Sequence, residues 1–376
     1  MSQIPFIDLK SQYKALKPKI DARIQAVLEH GAYVNGPEVV ELEKKLAEYT
    51  GAPYALTIAS GTDALMVPFM ALGIGQGDEV ITTAFSFIAT AETIVLAGAT
   101  PVYADIDPVT YNIDTTKIEK LITKRTKAIM PVSLYGQIAE MDEIHTIAKR
   151  HGLHVIEDAA QSFGAEYKGK KSGNVSAFCG TSFFPAKPLG GYGDGGAIFF
   201  QDEKYVKIIK EIREHGSESR YYHTRLGING RLDTIQCAIL LAKLERYDWE
   251  LEQRQKIAKK YAEAFSEINV PGFEFPKVLD HNKSAWAQYT IEVKDRAAFA
   301  KKMTDLGCPT SIHYPRIMPD QPWYKTKMAE DHKNGAPIMD WNVARHAAEH
   351  VISIPMYPDM DDTTLNKIID AVRKSL

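Results

Sequence analysis

Between Tyr54 and Asp158 the chain alternates short, continuously apolar runs with longer stretches of helical spacing, and this alternation constrains the fold more than any other feature. Tyr54-Ala-Leu-Thr-Ile-Ala, Glu79-Val-Ile-Thr-Thr, Thr100-Pro-Val-Tyr-Ala-Asp105, Lys127-Ala-Ile-Met-Pro-Val-Ser133 and His154-Val-Ile-Glu-Asp158 read as strands. Helical stretches run to about Leu72, over 89–97 and over 141–151. Strands without polar alternation are buried on both faces, and helical crossovers lay successive strands in parallel. The pattern predicts an α/β fold whose parallel sheet is covered by helices on both sides.

The flanks extend this frame. Two helices, over 13–29 and 37–49, precede the sheet, separated by a turn at Gly31 and Gly36-Pro37. After it, 201–216 and 232–268 read as helices, the second as one long helix that leaves the large domain. Trp286-Ala-Gln-Tyr-Thr-Ile-Glu-Val293 is expected as a strand, 296–306 as a helix and Leu365 to Ser375 as a closing helix. At 376 residues the chain exceeds the size at which single cores stop growing, roughly 250–300 residues. The expected division is a large domain, 1–250, and a smaller α+β domain, 251–376, with the N-terminal segment 1–12 a candidate to pack on the latter.

A net charge of -3 argues against a dedicated nucleic-acid or acidic-membrane binder. The three cysteines, Cys179, Cys237 and Cys308, lie far apart with no CxxC pair, so neither a disulfide framework nor a cysteine zinc site is indicated. The N-terminus has no apolar signal core and no run approaches about 18 apolar residues, so a cytoplasmic protein is expected. His346-Ala-Ala-Glu-His350 matches a zinc-protease pattern but lacks any catalytic context, and no metal is expected. Gly73, Gly75 and Gly77 precede a strand rather than following one and read as a turn.

Ligands of open α/β sheets bind beyond the carboxyl ends of the strands, where Ser60-Gly61-Thr62 and Asp158 both fall. The turn at Gly61-Thr62 opens a helix, so free N–H groups and the positive helix end suit a phosphate; simple capping by Ser60 or Thr62 is the plainer alternative. Further on lies Ser182-Phe-Phe-Pro-Ala-Lys187-Pro-Leu-Gly190-Gly-Tyr-Gly193-Asp-Gly-Gly196. A lysine in a glycine-dense loop between apolar, strand-like residues sits where backbone comes close to a flat or bulky group. Together the lysine, the acid and the turn fit a pyridoxal phosphate site. Lys187 would form the Schiff base, Asp158 would hold the pyridinium nitrogen and the turn would bind the phosphate. Gln161 is spaced to reach the ring's phenolic oxygen, and Ser182 to add a phosphate contact. Phe87 either stacks on the ring or packs in the core, and Asp158 taken alone equally suits a metal.

Phe6-Ile-Asp-Leu, Gly36-Pro-Glu-Val, Ser60-Gly-Thr-Asp-Ala-Leu, Ile156-Glu-Asp-Ala-Ala-Gln-Ser-Phe-Gly164, the lysine loop, Gly227-Ile-Asn-Gly-Arg231-Leu-Asp and Ser353-Ile-Pro-Met-Tyr-Pro358 carry a resemblance over nearly the whole chain. They resemble the sugar aminotransferases named after DegT, DnrJ, EryC1 and StrS, which are fold-type-I pyridoxal phosphate enzymes. The resemblance implies a large domain built on a mostly parallel seven-stranded sheet. It implies Lys187 as Schiff-base lysine and proton shuttle, Asp158 on the pyridine nitrogen, Gln161 on the ring oxygen, and Gly61, Thr62 and Ser182 on the phosphate. It implies that Asn229 reaches the phosphate of the neighbouring subunit's cofactor, so that complete sites need a homodimer. A relative in the family with histidine in place of the lysine removes a hydroxyl; lysine here implies transamination, with pyridoxamine phosphate formed between half-reactions.

The lysine loop is similar to the subgroup that aminates the 3-keto position of nucleotide-linked sugars. It implies glutamate as donor and a UDP-linked 2-acetamido-2-deoxy-3-keto uronic acid as acceptor, for the 2,3-diamino sugars of O-antigen or lipopolysaccharide. Arg231, His313 and Tyr314 are the candidates for the acceptor's acidic and hydroxyl groups, with a subunit-interface ion pair as the alternative for Arg231. Two other readings stay open: another keto sugar (a dTDP-3-keto-6-deoxyhexose or a UDP-4-keto sugar), and a non-enzymatic sensor that keeps fold and cofactor. His215, His223 and the charged run 211–220 are either a solvated loop or part of the substrate mouth.

Overall fold

The computed structural model describes residues 4–376. Seven strands form the central sheet: β1 (Tyr54–Ile58), β2 (Glu79–Thr83), β3 (Thr100–Ala104), β4 (Thr126–Met130), β5 (His154–Asp158), β6 (Phe178–Ser182) and β7 (Gly196–Phe200). Their order is β1-β7-β6-β5-β4-β2-β3. Only β7 runs against its neighbours β1 and β6; every other pair is parallel, as the apolar runs predict. Successive strand residues feed opposite faces. Val80 and Ile198 join the core beneath α3 (Gly61–Leu72), whereas Ile81 and Phe199 join the core on the other side, where α2 (Pro37–Thr50) contributes Leu42 and Leu46.

The remaining helices of this layer are α1 (Leu9–His30), α4 (Ala89–Leu96), α5 (Met141–His151), α6 (Lys204–Arg213), α7 (Thr234–Leu244) and α8 (Tyr247–Phe265). The single helix expected over 232–268 is two helices. Arg246 sits at φ -102° and ψ -8° between them, and its guanidinium turns aside to pair with Asp359. The break lets α7 lie along the sheet while α8 departs. Tyr247 and Leu251 belong to the sheet's core, but Ile257, Tyr261 and Phe265 belong to a second core.

That second core is closed by α9 (Arg296–Asp305), α12 (Asp362–Ser375) and an antiparallel pair, Tyr289–Glu292 with Val351–Ile354. Ile4 packs against it. Between these elements α10 (Pro322–Lys333) and α11 (Asn342–His350) return to the large sheet, where Tyr324, Trp341 and Ala344 cluster with Phe85, Tyr103 and Ile106. Trp341 Nε1 donates to the Tyr103 carbonyl at 2.9 Å, covering the β3 edge that would otherwise stand open.

Among the described residues no helix is long and apolar enough to cross a membrane, and no group of three or more His, Cys, Asp or Glu could hold a metal ion. His346 and His350 stack on each other, ring centroids 4.2 Å apart, and His350 Nδ1 lies 2.8 Å from the His346 carbonyl oxygen.

Candidate active site

Because β1, β5 and β6 point the same way, the residues that follow them meet at one edge of the sheet. Ser60 caps α3, its Oγ accepting from Asp63 N at 3.0 Å. The capping expected of the turn is therefore real, yet it leaves the N–H groups of Gly61 and Thr62 without a partner among the described residues. Gly61 is required where it stands, since a Cβ there would lie 2.5 Å from Ser182 Cβ. Absence of that carbon brings the start of α3 against the end of β6, so two free N–H groups and the Ser182 hydroxyl share one place. This donor set suits a phosphate.

Asp158 ends β5 and is 4% exposed. Its Oδ2 accepts from Thr90 Oγ1 at 2.7 Å and its Oδ1 from Ala160 N at 3.2 Å. Burial nevertheless holds its proton affinity above the usual carboxylate range, and these two donors and the nearby Lys187 only moderate the effect. A cationic ring N–H would supply the missing charge. Glu157, one residue earlier, faces the opposite side and takes the Ser133 and Ser172 hydroxyls at 2.8 and 2.9 Å.

Lys187 stands in a turn in which its own N–H donates to the Phe184 carbonyl at 2.8 Å. Part of the residue's surface stays open, but the amine is desolvated, and the amine's surroundings set its proton affinity. Burial pushes that affinity down, with Asp158 opposing. A buried carboxylate short of charge and an amine whose proton is held less tightly than usual thus lie near enough to act on each other.

Gln161 is buried, its Oε1 accepting from Tyr135 N at 2.8 Å and its Nε2 donating to Tyr314 Oη at 2.9 Å, which leaves one amide hydrogen uncommitted. Phe87 is 52% exposed, with its ring 5.8 Å from that of Tyr314, so it lines the cleft rather than the core. His313 Nδ1 lies 2.8 Å from Ser353 Oγ, and the Tyr135 hydroxyl donates to the His313 carbonyl. Burial, and then the charge of Lys187, bring His313 down to about 4, so near neutrality its ring is uncharged and can read a hydroxyl but not attract a carboxylate. Tyr314 is pushed above its ordinary value by burial and keeps its proton.

Asn229 is exposed and Arg231 half-buried, and neither side chain has a hydrogen-bond or ionic partner among the described residues. They follow an exposed hairpin, Ser217–Ser219 with Tyr222–His223, that carries Tyr221 at 83% exposure. Within the charged run 211–220, Glu211 is buried and pairs with Arg225. A groove of about 640 Å³ between α4 and α10 is lined by Leu96 and Trp323 and by none of the residues predicted to touch the cofactor. Two contributors escape sequence reasoning. Thr90, which orients Asp158, and Tyr135, which anchors Gln161 and the His313 segment, are signalled only by lying near the ends of β2 and β4.

Residues 14–373 match the model of the DegT/DnrJ/EryC1/StrS aminotransferase family. The chain is 50% identical, over 98% of its length and 99% of the relative's, to the UDP-2-acetamido-2-deoxy-3-oxo-D-glucuronate aminotransferase of Pseudomonas aeruginosa. It superposes with a TM-score of 0.93 on a DegT DnrJ EryC1 StrS aminotransferase from Brucella abortus, 38% identical and covering 99% of both chains. With NtdA of Bacillus subtilis, solved with bound cofactor PMP, the TM-score is 0.89 at 30% identity, covering 100% of this chain and 85% of that one. Free N–H donors at the start of α3, a charge-poor carboxylate and a desolvated lysine match that cofactor class in kind, and with full-length similarity they place the chain in the DegT/DnrJ/EryC1/StrS aminotransferase family.

Proposed function

We propose that this enzyme transfers the amino group of glutamate to the C3 keto group of a UDP-linked 2-acetamido-2-deoxy-3-keto uronic acid, in the cytoplasm and as a homodimer. The observation that carries the reading is the desolvated Lys187 amine beside buried Asp158. Support for the acceptor comes from the activity of the 50% identical Pseudomonas aeruginosa relative. The product would serve the 2,3-diamino uronic acids of O-antigen or lipopolysaccharide. Residues 1–250 form the cofactor-binding domain in this reading and 251–376 the smaller one.

Pyridoxal phosphate, when bound, supplies the electron sink for the carbanion left as the substrate's Cα proton departs. Gly61, Thr62 and Ser182 would hold its phosphate, Asp158 its ring nitrogen and Gln161 its ring oxygen, with Phe87 against the ring. Thr90 keeps Asp158 aimed. Lys187 Nζ takes the proton from the donor's Cα, a role that needs a neutral amine and that burial favours. Asn229 of each subunit completes the phosphate site of the other. Arg231, a half-buried cation without an acidic partner among the described residues, takes the uronate carboxylate, while neutral His313 and Tyr314 take sugar hydroxyls.

The test is incubation of purified protein with glutamate and, in parallel, the UDP-3-keto uronate, a dTDP-3-keto-6-deoxyhexose and a UDP-4-keto sugar, with products read by mass spectrometry. Amination of the uronate at the highest kcat/KM is expected. Preference for either other acceptor would refute the substrate while keeping the reaction. No amination of any acceptor would favour a sensor.

A further inference from the structure

Beneath the loop that carries Lys187, α7 presents two side chains seven positions apart on one helix face. Gln236 Oε1 accepts from Tyr192 N at 2.8 Å, and Lys243 Nζ donates to the carbonyl oxygen of Gly190. Lys243 is 2% exposed and, among the described residues, touches no carboxylate. Its nearest countercharge is Glu250 of α8, which is itself occupied by Gln12 Nε2 at 2.9 Å. Burial brings Lys243 down to about 8, with Glu250 opposing. Lysines are almost never fully buried unless paired, so a lysine spent on a main-chain carbonyl calls for a reason.

The geometry of the loop supplies one. The segment from Phe184 to Gly190 folds back on itself with Lys187 inside it. Lys187 N donates to Phe184 O at 2.8 Å and Gly191 N to Phe183 O at 2.7 Å. At the closing residue, a Cβ on Gly190 would lie 2.4 Å from Pro185 O, so the turn is packed against its own backbone. Lys243 holds this closing residue from below, and its Nζ also lies 5.2 Å from the centre of the Tyr192 ring.

We propose that Lys243 is a positioning residue: by binding the Gly190 carbonyl it fixes the turn that aims the Lys187 amine, and it takes no part in the chemistry itself. The inference rests on the reading of Lys187 as the catalytic lysine. Its test uses the full chain and the variant Lys243→Met, which keeps the stem but removes the donor and the charge. Leu241→Ala, buried on the same helix without a bond to the loop, controls for lost stability.

In cofactor-free protein, amide exchange at Lys187 and Gly191 should quicken about tenfold in Lys243→Met and not in Leu241→Ala. In loaded enzyme kcat should fall about tenfold with the donor's KM unchanged, the sign of a displaced catalytic group rather than of weaker binding. Lys243→Gln, which retains an N–H donor, should recover part of both and carries the test should Lys243→Met not fold. Unchanged exchange in Lys243→Met, or equal losses in Leu241→Ala, would overturn the proposal. Because exchange is read without cofactor, it reports the tether alone; an active Lys187→Ala enzyme would instead overturn the role of Lys187.

Discussion

Burial acts in opposite directions on the two residues at the centre of the site. It raises the proton affinity of Asp158 and lowers that of Lys187, and each shift suits the role proposed for it. Lys187→Ala should lower turnover by at least about 10²–10⁴-fold while cofactor binding partly survives, as steady-state rates and cofactor titration would report. The consequence for Asp158 is less obvious. A carboxyl whose folded-state proton affinity exceeds the unfolded one adds stability at low pH and loses it as pH rises through the folded value. Above the ordinary carboxylate range of pH, burial of Asp158 therefore costs the cofactor-free protein stability. Asp158→Asn should raise the melting temperature of cofactor-free protein by roughly 2 °C while lowering turnover, because the neutral amide cannot keep the ring nitrogen protonated. A fall in both, seen by calorimetry and rate assay, would mean that the carboxylate is satisfied without cofactor.

At the level of elements, the start of α3 can serve as the proposed phosphate cradle only because Gly61 lets the helix touch β6. Gly61→Ala places a carbon 2.5 Å from Ser182 Cβ, a contact that one of the two elements must relieve by moving. Cofactor affinity should drop by about tenfold or more, about the worth of one charge-assisted hydrogen bond, and equilibrium dialysis would measure it. An unchanged Kd would show that the phosphate lies elsewhere. The same elements show how far sequence pattern reaches. The five strands up to Asp158 are legible because burial on both faces makes them continuously apolar, and Gly61, Thr62, Asp158 and Lys187 follow from strand ends and a glycine-rich loop. The break between α7 and α8 is not, since no glycine or proline marks it and the ionic partner of Arg246, Asp359, lies 113 residues away in sequence. Nor is the reversal of β7, which depends on how the lysine loop closes. Thr90 and Lys243 look like ordinary helix residues until the fold brings them to Asp158 and Gly190.

At the scale of the whole molecule, Asn229 and Arg231 lie exposed or half-buried beside a protruding aromatic hairpin, without partners among the described residues of their own chain. Shared sites predict complementation. In a hybrid of Lys187→Ala and Asn229→Ala subunits, one site carries both substitutions and the other neither, so mixing two weak homodimers should restore about a quarter of the wild-type activity of an equal protein mass at random pairing. No gain on mixing, with hybrid formation verified, would mean that Asn229 serves its own subunit. The most direct measurement of the proposed transamination is the absorbance of purified protein reconstituted with pyridoxal phosphate, before and after adding glutamate. Transamination predicts a band from cofactor joined to Lys187 that converts to the pyridoxamine form when glutamate is added. A band that ignores glutamate, or no band at all, would contradict it.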